Sequence, residues 1–237
     1  MRADKKIAVV IPTLNEENAI GKVIADIPKW VDMIVISDNG SKDNTIKVAE
    51  SLGAVTLQSK TGGGYGSACL AGIDRAEGHD VIVFVDGDFS DYPEQMDRLV
   101  DPILNGETDM VIGSRRLGNA KSGSLTPQQQ FGNWLACFLI RLFWGVKYTD
   151  LGPFRAVEAN SLKKLKMTDQ AFGWTVQMQL HAIFEDIRVL EVPVDYRPRI
   201  GHSKISGTIR GTILAGHAII GTILKSAMKK YLGRQQA

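Results

Sequence analysis

The sequence predicts an α/β fold, a mainly parallel sheet flanked by helices, and three observations carry that expectation. Short β-branched runs alternate with segments of helical periodicity through the first half of the 237 residues, the rhythm of a parallel sheet built from crossover units. The run Val81-Ile82-Val83-Phe84-Val85 is apolar on both faces, as a strand inside such a sheet must be. It ends in Asp86-Gly87-Asp88, so two hard carboxylates fall at the carboxyl edge, where open α/β sheets bind their ligands. Gly87 keeps the turn open and lets both carboxylates approach one divalent cation and the phosphates it carries.

The elements follow in order. Ile7–Ile11 reads as the first strand and Glu16–Ile27 as a helix; Met33–Ile36 is a second strand, with a helix from about Asn44 to Leu52. Ala54–Leu57 is a short strand, and Tyr65–Ala76 a helix entered through glycines. After Val81–Val85, Pro93–Leu104 is helical in pattern and Met110–Gly113 is another short strand. Phe131–Val146 is strongly apolar but spans 16 residues and contains Arg141. A membrane span needs about 20 apolar residues, so this segment reads as a buried or interfacial helix. Its aromatics Trp134, Phe138, Phe143 and Trp144 are expected in the core, with the lining of an isoprenoid path as the alternative. Leu151–Arg155 is a turn into a strand, Phe172–Phe184 a helix and Arg188–Val194 a strand. Ile205–Leu232 is helix-compatible and apolar on most of its surface.

Composition narrows the class. Hydrophobic residues make up 44% and charged residues 23%, which suits a chain with a sizeable core rather than a disordered one. Cys69 and Cys137 match no metal spacing and read as reduced core residues of a cytosolic protein. Arg2, Lys5 and Lys6 precede an apolar run that Pro12 interrupts, a first strand rather than a signal peptide. The net charge of +2 hides an asymmetry. From Tyr196 onward there are eight basic residues and no Asp or Glu, which leaves 20 basic against 26 acidic side chains in the 195 residues before it. An acidic body with a basic, apolar tail points to an anionic partner. The tail is too apolar for nucleic acid and carries no binding module for it. It reads as an amphipathic helix for a membrane surface or as helices packing on the body or on a second subunit, so an oligomer is allowed. The expected division is therefore 1–204, a catalytic domain, and 205–237, a helical tail.

Polar loops follow the early strands: Pro12–Glu17, Asp38–Thr45 and Lys60–Gly66. Helix caps and turns account for some of these residues, but successive crossovers place the loops side by side on one edge. Gly62–Gly66, entering a helix, suits phosphate contact through backbone N–H groups. It matches neither the P-loop nor the dinucleotide fingerprint, which sets aside kinase-like and NAD-dependent readings.

These motifs together, Pro12–Glu16, Asp38–Thr45, Gly64–Gly72, Asp86–Asp88 and Gly113-Ser114-Arg115, resemble those of glycosyltransferase family 2, the GT-A (Rossmann-like) fold. Thr149-Asp150-Leu151-Gly152-Pro153-Phe154-Arg155 and the Arg199, Gly201, Ser203, Lys204 signature make the chain most similar to the dolichyl- and polyprenyl-phosphate hexose transferases. The resemblance implies that Pro12, Asn15, Glu16, Asp38, Lys60, Gly64 and Asp86 bind the nucleotide sugar. It implies that Asp86 and Asp88 hold Mg²⁺ or Mn²⁺, and that Asp88, Arg115 and Lys204 are catalytic. Arg199, Ser203 and Lys204 would meet donor or acceptor phosphate. Two positions depart from the family pattern: Ser90 stands where several relatives have a metal-binding Gln, with Asp91 as a neighbouring substitute, and Gln177 stands where many carry Glu. An amide cannot take a proton, and an acceptor phosphate, already anionic, needs no base; Asp150 or Glu185 is the alternative carboxylate for that role. The implied reaction is therefore inverting transfer of a hexose from a UDP- or GDP-sugar to polyprenyl phosphate, by a cytoplasmic protein peripheral on the inner membrane face. A soluble or glycan hydroxyl acceptor is the alternative, and a catalytically silent nucleotide-sugar-binding scaffold the third reading. His79, His181 and His217 read as structural or surface residues, and His202 as the one histidine within a phosphate signature.

Overall fold

Strand β1 (Ile7–Thr13) is buried at every position because it runs through the middle of the sheet. It pairs in parallel with β2 (Met33–Asp38) on one side and β4 (Val81–Phe84) on the other, and β3 (Val55–Gln58) continues the parallel set beyond β2. The computed structural model describes residues 1–59, 63–201 and 209–233 of the chain. Beyond β4 the sheet continues through β6 (Arg155–Glu158), β5 (Met110–Ser114) and β7 (Val189–Pro193), giving the order β3-β2-β1-β4-β6-β5-β7. The expected mainly parallel α/β sheet is what the chain forms. The exception is β6, antiparallel to both neighbours. The chain enters β6 from residues 149–154, which are tied to the carboxyl end of β5. A strand entered from that edge has to run backwards.

Alternation along the strands divides the core in two. Ala8, Val10, Phe84 and Ile112 face one side, against α3 (Tyr65–Arg75), α5 (Pro127–Trp144), α6 (Ala159–Lys164), α7 (Trp174–Phe184) and α8 (Ile209–Gly233). Ile7, Val9, Ile11 and Val83 face the other, against α1 (Ile20–Asp26), α2 (Thr45–Ser51) and α4 (Asp97–Leu104). Helix α3 lies so close to β1 that a Cβ at Gly72 would sit 2.3 Å from Cγ1 of Val10.

Several elements differ from expectation for local reasons. Helix α1 starts at Ile20 rather than Glu16, because the N–H groups of Glu16 and Glu17 donate to the side chains of Thr45 and Asp43. Pro93–Gln95 forms a separate 3-10 turn ahead of α4. Helix α5 begins four residues before Phe131, where Thr126 and Gln129 form a reciprocal capping box. It ends at Gly145, whose φ of 76° suits glycine. Helix α6 had no counterpart among the expected elements. The aromatics of α5 divide: Phe143 and Trp144 pack against the core, whereas Trp134 and Phe138 are 55% and 48% exposed and are not core residues. Helix α8 lies on the body, packed on α5 and α7, with Ile223 and Ala227 buried. Among the described residues no helix is long and apolar enough to cross a membrane.

Two outcomes follow from this packing. Gly72→Val overfills the α3–β1 contact and is expected to lower stability by ~1–3 kcal/mol in urea unfolding. Cys69 and Cys137 are buried and unpaired, and burial, with the nearby charges of Asp150 and Glu191, pushes the Cys137 thiol up to about 12. Neither thiol should react with a disulfide reagent at pH 8 until the chain is unfolded, which a time course with and without urea would show.

Candidate active site

The site is assembled at the carboxyl edge from loops that hold one another. The Asp38 carboxylate accepts from the N–H groups of Gly40 (3.0 Å) and Ser41 (2.7 Å), from the Ser41 hydroxyl, and from Oγ1 of Thr13 (3.2 Å). It therefore shapes its own loop and ties it to the end of β1. Asn15, with φ of 53°, donates its N–H to Oγ of Ser41 and accepts from the N–H of Lys42. Oδ1 of Asn39 accepts from the N–H groups of Gly63 (2.6 Å) and Gly64 (3.3 Å), linking the loop after β2 to the entrance of α3. Gly64 itself is at φ of 92°, and a Cβ there would meet the Gln170 carbonyl oxygen at 2.5 Å. A pocket of about 570 Å³ lies beside these loops, lined by Asp38, Asn39, Leu57, Ser59, Ser67 and Arg75.

Beyond β4, three carboxylates follow within six residues. Asp86 accepts from the Tyr65 hydroxyl at 3.0 Å. Burial, reinforced by the charge of Asp88, raises its carboxyl to about 7. Oδ1 of Asp88 accepts from the N–H and hydroxyl of Ser90, and Oδ2 pairs with Arg199 at 3.1 Å. Arg199 also donates to Oε1 of Glu16 at 2.9 Å, so one guanidinium spans the loops after β1 and β4. Asp91 is 1% exposed; its Oδ2 accepts from the N–H of Asp86 and its Oδ1 has no partner. Burial and the charges of Asp86 and Asp88 hold the Asp91 carboxyl well above the usual range.

Asp86 and Asp88 fit a divalent cation. They are two hard oxygen donors on one cavity wall, and their mutual repulsion is what a dication relieves. Among the described residues no group of three or more His, Cys, Asp or Glu side chains is arranged to hold a metal. Two protein carboxylates plus diphosphate oxygens is the usual Mg²⁺-type arrangement. The Ser90 hydroxyl is engaged with Asp88, and Asp91 lies behind Asp86, outside the cavity lining.

The far wall is cationic. Arg115 makes a forked contact with Asp150 through Nε (2.8 Å) and NH2 (2.6 Å), and its backbone N–H donates to the same carboxylate. Asp150 is thereby committed to orienting Arg115. Asp86, Asp88, Arg115 and Arg199 line one cavity of about 780 Å³, which continues between α5 and α8 along Phe131, Leu135, Ile219 and Ile220. Lys60, Ser203, Lys204 and His202 lie outside the described residues. Pro12, Asn15 and Glu16 flank the site, and none of them lines the cavity. Gln177 turns away from it: its Oε1 accepts from the N–H groups of Thr168 and Asp169, and its Nε2 donates to Oγ1 of Thr168. Glu185 follows the last residue of α7 and is exposed.

Two arginines supporting the site were not expected there. Arg197 stacks on Phe89, 3.3 Å from the ring centroid, and on Tyr92, and donates to the carbonyl oxygens of Phe89 and Asp91. Phe89 has φ of 66°, so Arg197 braces a left-handed residue between Asp88 and Asp91. The backbone N–H groups of Arg197 and Ile200 donate to Ser90 and Asp88, completing the clasp. Arg155 is fully buried beneath the site, donating to the carbonyl oxygens of Gly152 and Thr175, and burial lowers it to about 10. Its place at the end of the Thr149–Arg155 motif is the signal available, although the motif assigns it no role.

Carboxylates and arginines facing one cavity at the edge of a GT-A sheet form a site suited to an anionic substrate. The chain belongs to glycosyl transferase family 2: that family's model matches residues 8–170, and the protein is a nucleotide-sugar glycosyltransferase. It is 32% identical over 216 residues to an uncharacterised glycosyltransferase of Mycobacterium tuberculosis, covering 90% of this chain and 95% of the relative. It is 30% identical to the undecaprenyl-phosphate mannosyltransferase of Micrococcus luteus, over 87% of this chain and 90% of the relative. Among solved structures, glucosyl-3-phosphoglycerate synthase of M. tuberculosis, in complex with Mn²⁺, UDP-glucose and phosphoglyceric acid, shares the fold. Its TM-score is 0.77 at 22% identity, covering 95% of this chain and 81% of that one.

The Arg115–Asp150 fork is buried, with side chains 13% and 1% exposed. Asp150→Ala leaves the guanidinium without its anion and is expected to cost ~3–5 kcal/mol in urea unfolding.

Proposed function

We propose that this protein transfers a hexose from a UDP- or GDP-sugar to a polyprenyl phosphate, with inversion, while peripheral on the cytoplasmic membrane face. The observation that carries this reading is the composition of the one cavity: carboxylates and arginines at its inner end, and an apolar throat of Phe131, Leu135, Ile219 and Ile220 toward its mouth. An acceptor with a charged head and a hydrocarbon tail matches both ends. The named similarity to an undecaprenyl-phosphate mannosyltransferase supports the same choice.

The chemistry asks little of a base. An acceptor phosphate oxygen attacks the anomeric carbon from the face opposite the leaving group. The bond to the diphosphate breaks, and the electron pair leaves on the nucleoside diphosphate. Asp86 and Asp88 would hold Mg²⁺ or Mn²⁺, which supplies Lewis-acid stabilisation of the leaving diphosphate. Arg115, fixed by Asp150, and Arg199 orient the phosphates and offset their charge. Lys204, Ser203 and Lys60 complete the proposed set of phosphate and nucleotide contacts, with Asn15, Glu16, Pro12, Asp38 and Gly64 framing the nucleoside. The carboxylates among the described cavity-lining residues are Asp86 and Asp88, both assigned to the metal. A hydroxyl acceptor would therefore find no spare base on that wall, whereas a phosphate needs none.

The test is Mn²⁺-dependent release of UDP or GDP from a panel of nucleotide sugars, with and without polyprenyl phosphate. Release is expected to require one donor together with the lipid, and Asp88→Asn to lower the rate by about 10²-fold or more. Release with a soluble acceptor and none with the lipid would transfer the reading to the hydroxyl-acceptor alternative. Donor binding without release under any of these conditions would leave the scaffold.

A further inference from the structure

Helix α5 carries a ridge of which the catalytic reading uses only Phe131. Phe131, Trp134, Phe138 and Leu142 follow one another at spacings of three, four and four, which puts them on one helical face. They are 61%, 55%, 48% and 61% exposed. Phe131 lies against Trp134 at 5.8 Å between ring centroids, and Trp134 stacks on Phe138 at 5.7 Å, so the three rings form a continuous apolar surface. A patch of this kind on a soluble domain marks a binding surface.

The surroundings of the ridge select its partner. No Asp or Glu occurs between Met110 and Thr149, nor within α8. Arg141, beside Leu142 on α5, is exposed, and so is Lys147 just beyond it. A two-fold contact through α5 would bury these cations against a helix that offers no carboxylate to pair them. An anionic lipid surface accepts both features: the rings enter the boundary between head groups and acyl chains while the cations meet the head groups. Phe131 belongs at once to the ridge and to the cavity lining. Helices α5 and α8 run side by side in the same direction: Ala215 and Gly216 line the cavity with Pro127–Phe131, and Nζ of Lys230 donates to the Phe143 carbonyl oxygen. The apolar throat between them therefore opens at the N-terminal end of the ridge.

We infer that the exposed face of α5 is the membrane-docking surface of this protein, inserting Phe131, Trp134, Phe138 and Leu142 into an anionic bilayer with the cavity mouth at lipid level. An isoprenoid chain then passes from bilayer to cavity without its hydrocarbon crossing water. The inference rests on the lipid-phosphate reading for its purpose, but its test needs neither donor nor acceptor. It also places the docking surface on α5 in the body, whereas composition alone points to the basic tail.

The experiment is flotation of the full chain with vesicles of phosphatidylcholine alone and with about a third phosphatidylglycerol, without polyprenyl phosphate or nucleotide. The wild-type chain is expected to float with the anionic vesicles. Trp134→Ser/Phe138→Ser/Leu142→Ser, at exposed positions outside the cavity lining, is expected to lower partitioning by about tenfold or more and to keep the wild-type circular dichroism and UDP-sugar binding. Arg141→Ser/Lys147→Ser should weaken binding to anionic vesicles at low salt only. A wild-type chain that binds neither vesicle overturns the inference, and so does a triple variant that floats like wild type. A dimer that the triple variant disrupts, seen by light scattering, assigns the ridge to a second copy and overturns it as well. Docking through the ridge combined with transfer to a soluble acceptor would keep this surface while overturning the lipid-phosphate acceptor.

Discussion

Asp86, Asp88 and Asp91 stand at the end of a strand buried on both faces, and the electrostatic cost of placing them together orders much of the molecule. Three carboxylates so close cannot all be charged and desolvated without compensation. Arg199 reaches Asp88 from a segment 111 residues further along the chain, and the same guanidinium meets Glu16. Tyr65, at the first turn of α3, donates to Asp86. The Oδ1 atom of Asp91 remains without a partner, and the carboxyls of Asp86 and Asp91 are both held above their ordinary values. That imbalance is of the kind a cation beside Asp86 and Asp88 would relieve. A divalent ion bearing a diphosphate, as proposed, would offset the repulsion that the fold itself leaves in place.

The scaffold around this cluster is stiff where the chemistry needs it. Arg197 lies over Phe89 and Tyr92 and caps two carbonyl oxygens of the 86–92 loop, so a residue at positive φ is held by contacts on both sides. Arg115 is locked by a forked pair with Asp150, and Asp150 donates its own N–H to Glu191 of β7. The antiparallel strand β6 belongs to the same design. By entering from the carboxyl edge it brings residues 149–154 under the site and lays Arg155 between Phe84 of β4 and Ile112 of β5.

The opposite end of the cavity follows different physics. Between α5 and α8 the walls are apolar along Phe131, Leu135, Ile219 and Ile220, with Gln128, Gln129 and Asn133 as polar exceptions, and the outer face of α5 continues the apolar surface into solvent as aromatic rings. A single amphipathic gradient therefore runs from the carboxylates at the sheet edge to the exposed ridge. On the proposed reading, charge would recognise the phosphates at one end and desolvation would hold the hydrocarbon chain at the other. The two are coupled because one helix forms both the throat and the ridge.

Much of the sheet was legible in the residues themselves. Short unbroken β-branched runs favour buried strands, and Asp86-Gly87-Asp88 after such a run is then expected at the carboxyl edge. Both statements are local, depending on side-chain chemistry and periodicity over a few residues. The helix boundaries were less legible where side chains from elsewhere competed for backbone N–H groups, as Thr45 and Asp43 do at Glu16 and Glu17. Tertiary structure alone decided that Gln177 braces residues 168–169 instead of facing the site, that Arg197 and Arg155 support it, and that Trp134 and Phe138 point outward. Hydrophobicity marks a residue as one that prefers to leave water, but it does not say whether the protein interior or another apolar phase receives it. That depends on which helix face its neighbours cover, a property of packing between segments distant in the chain.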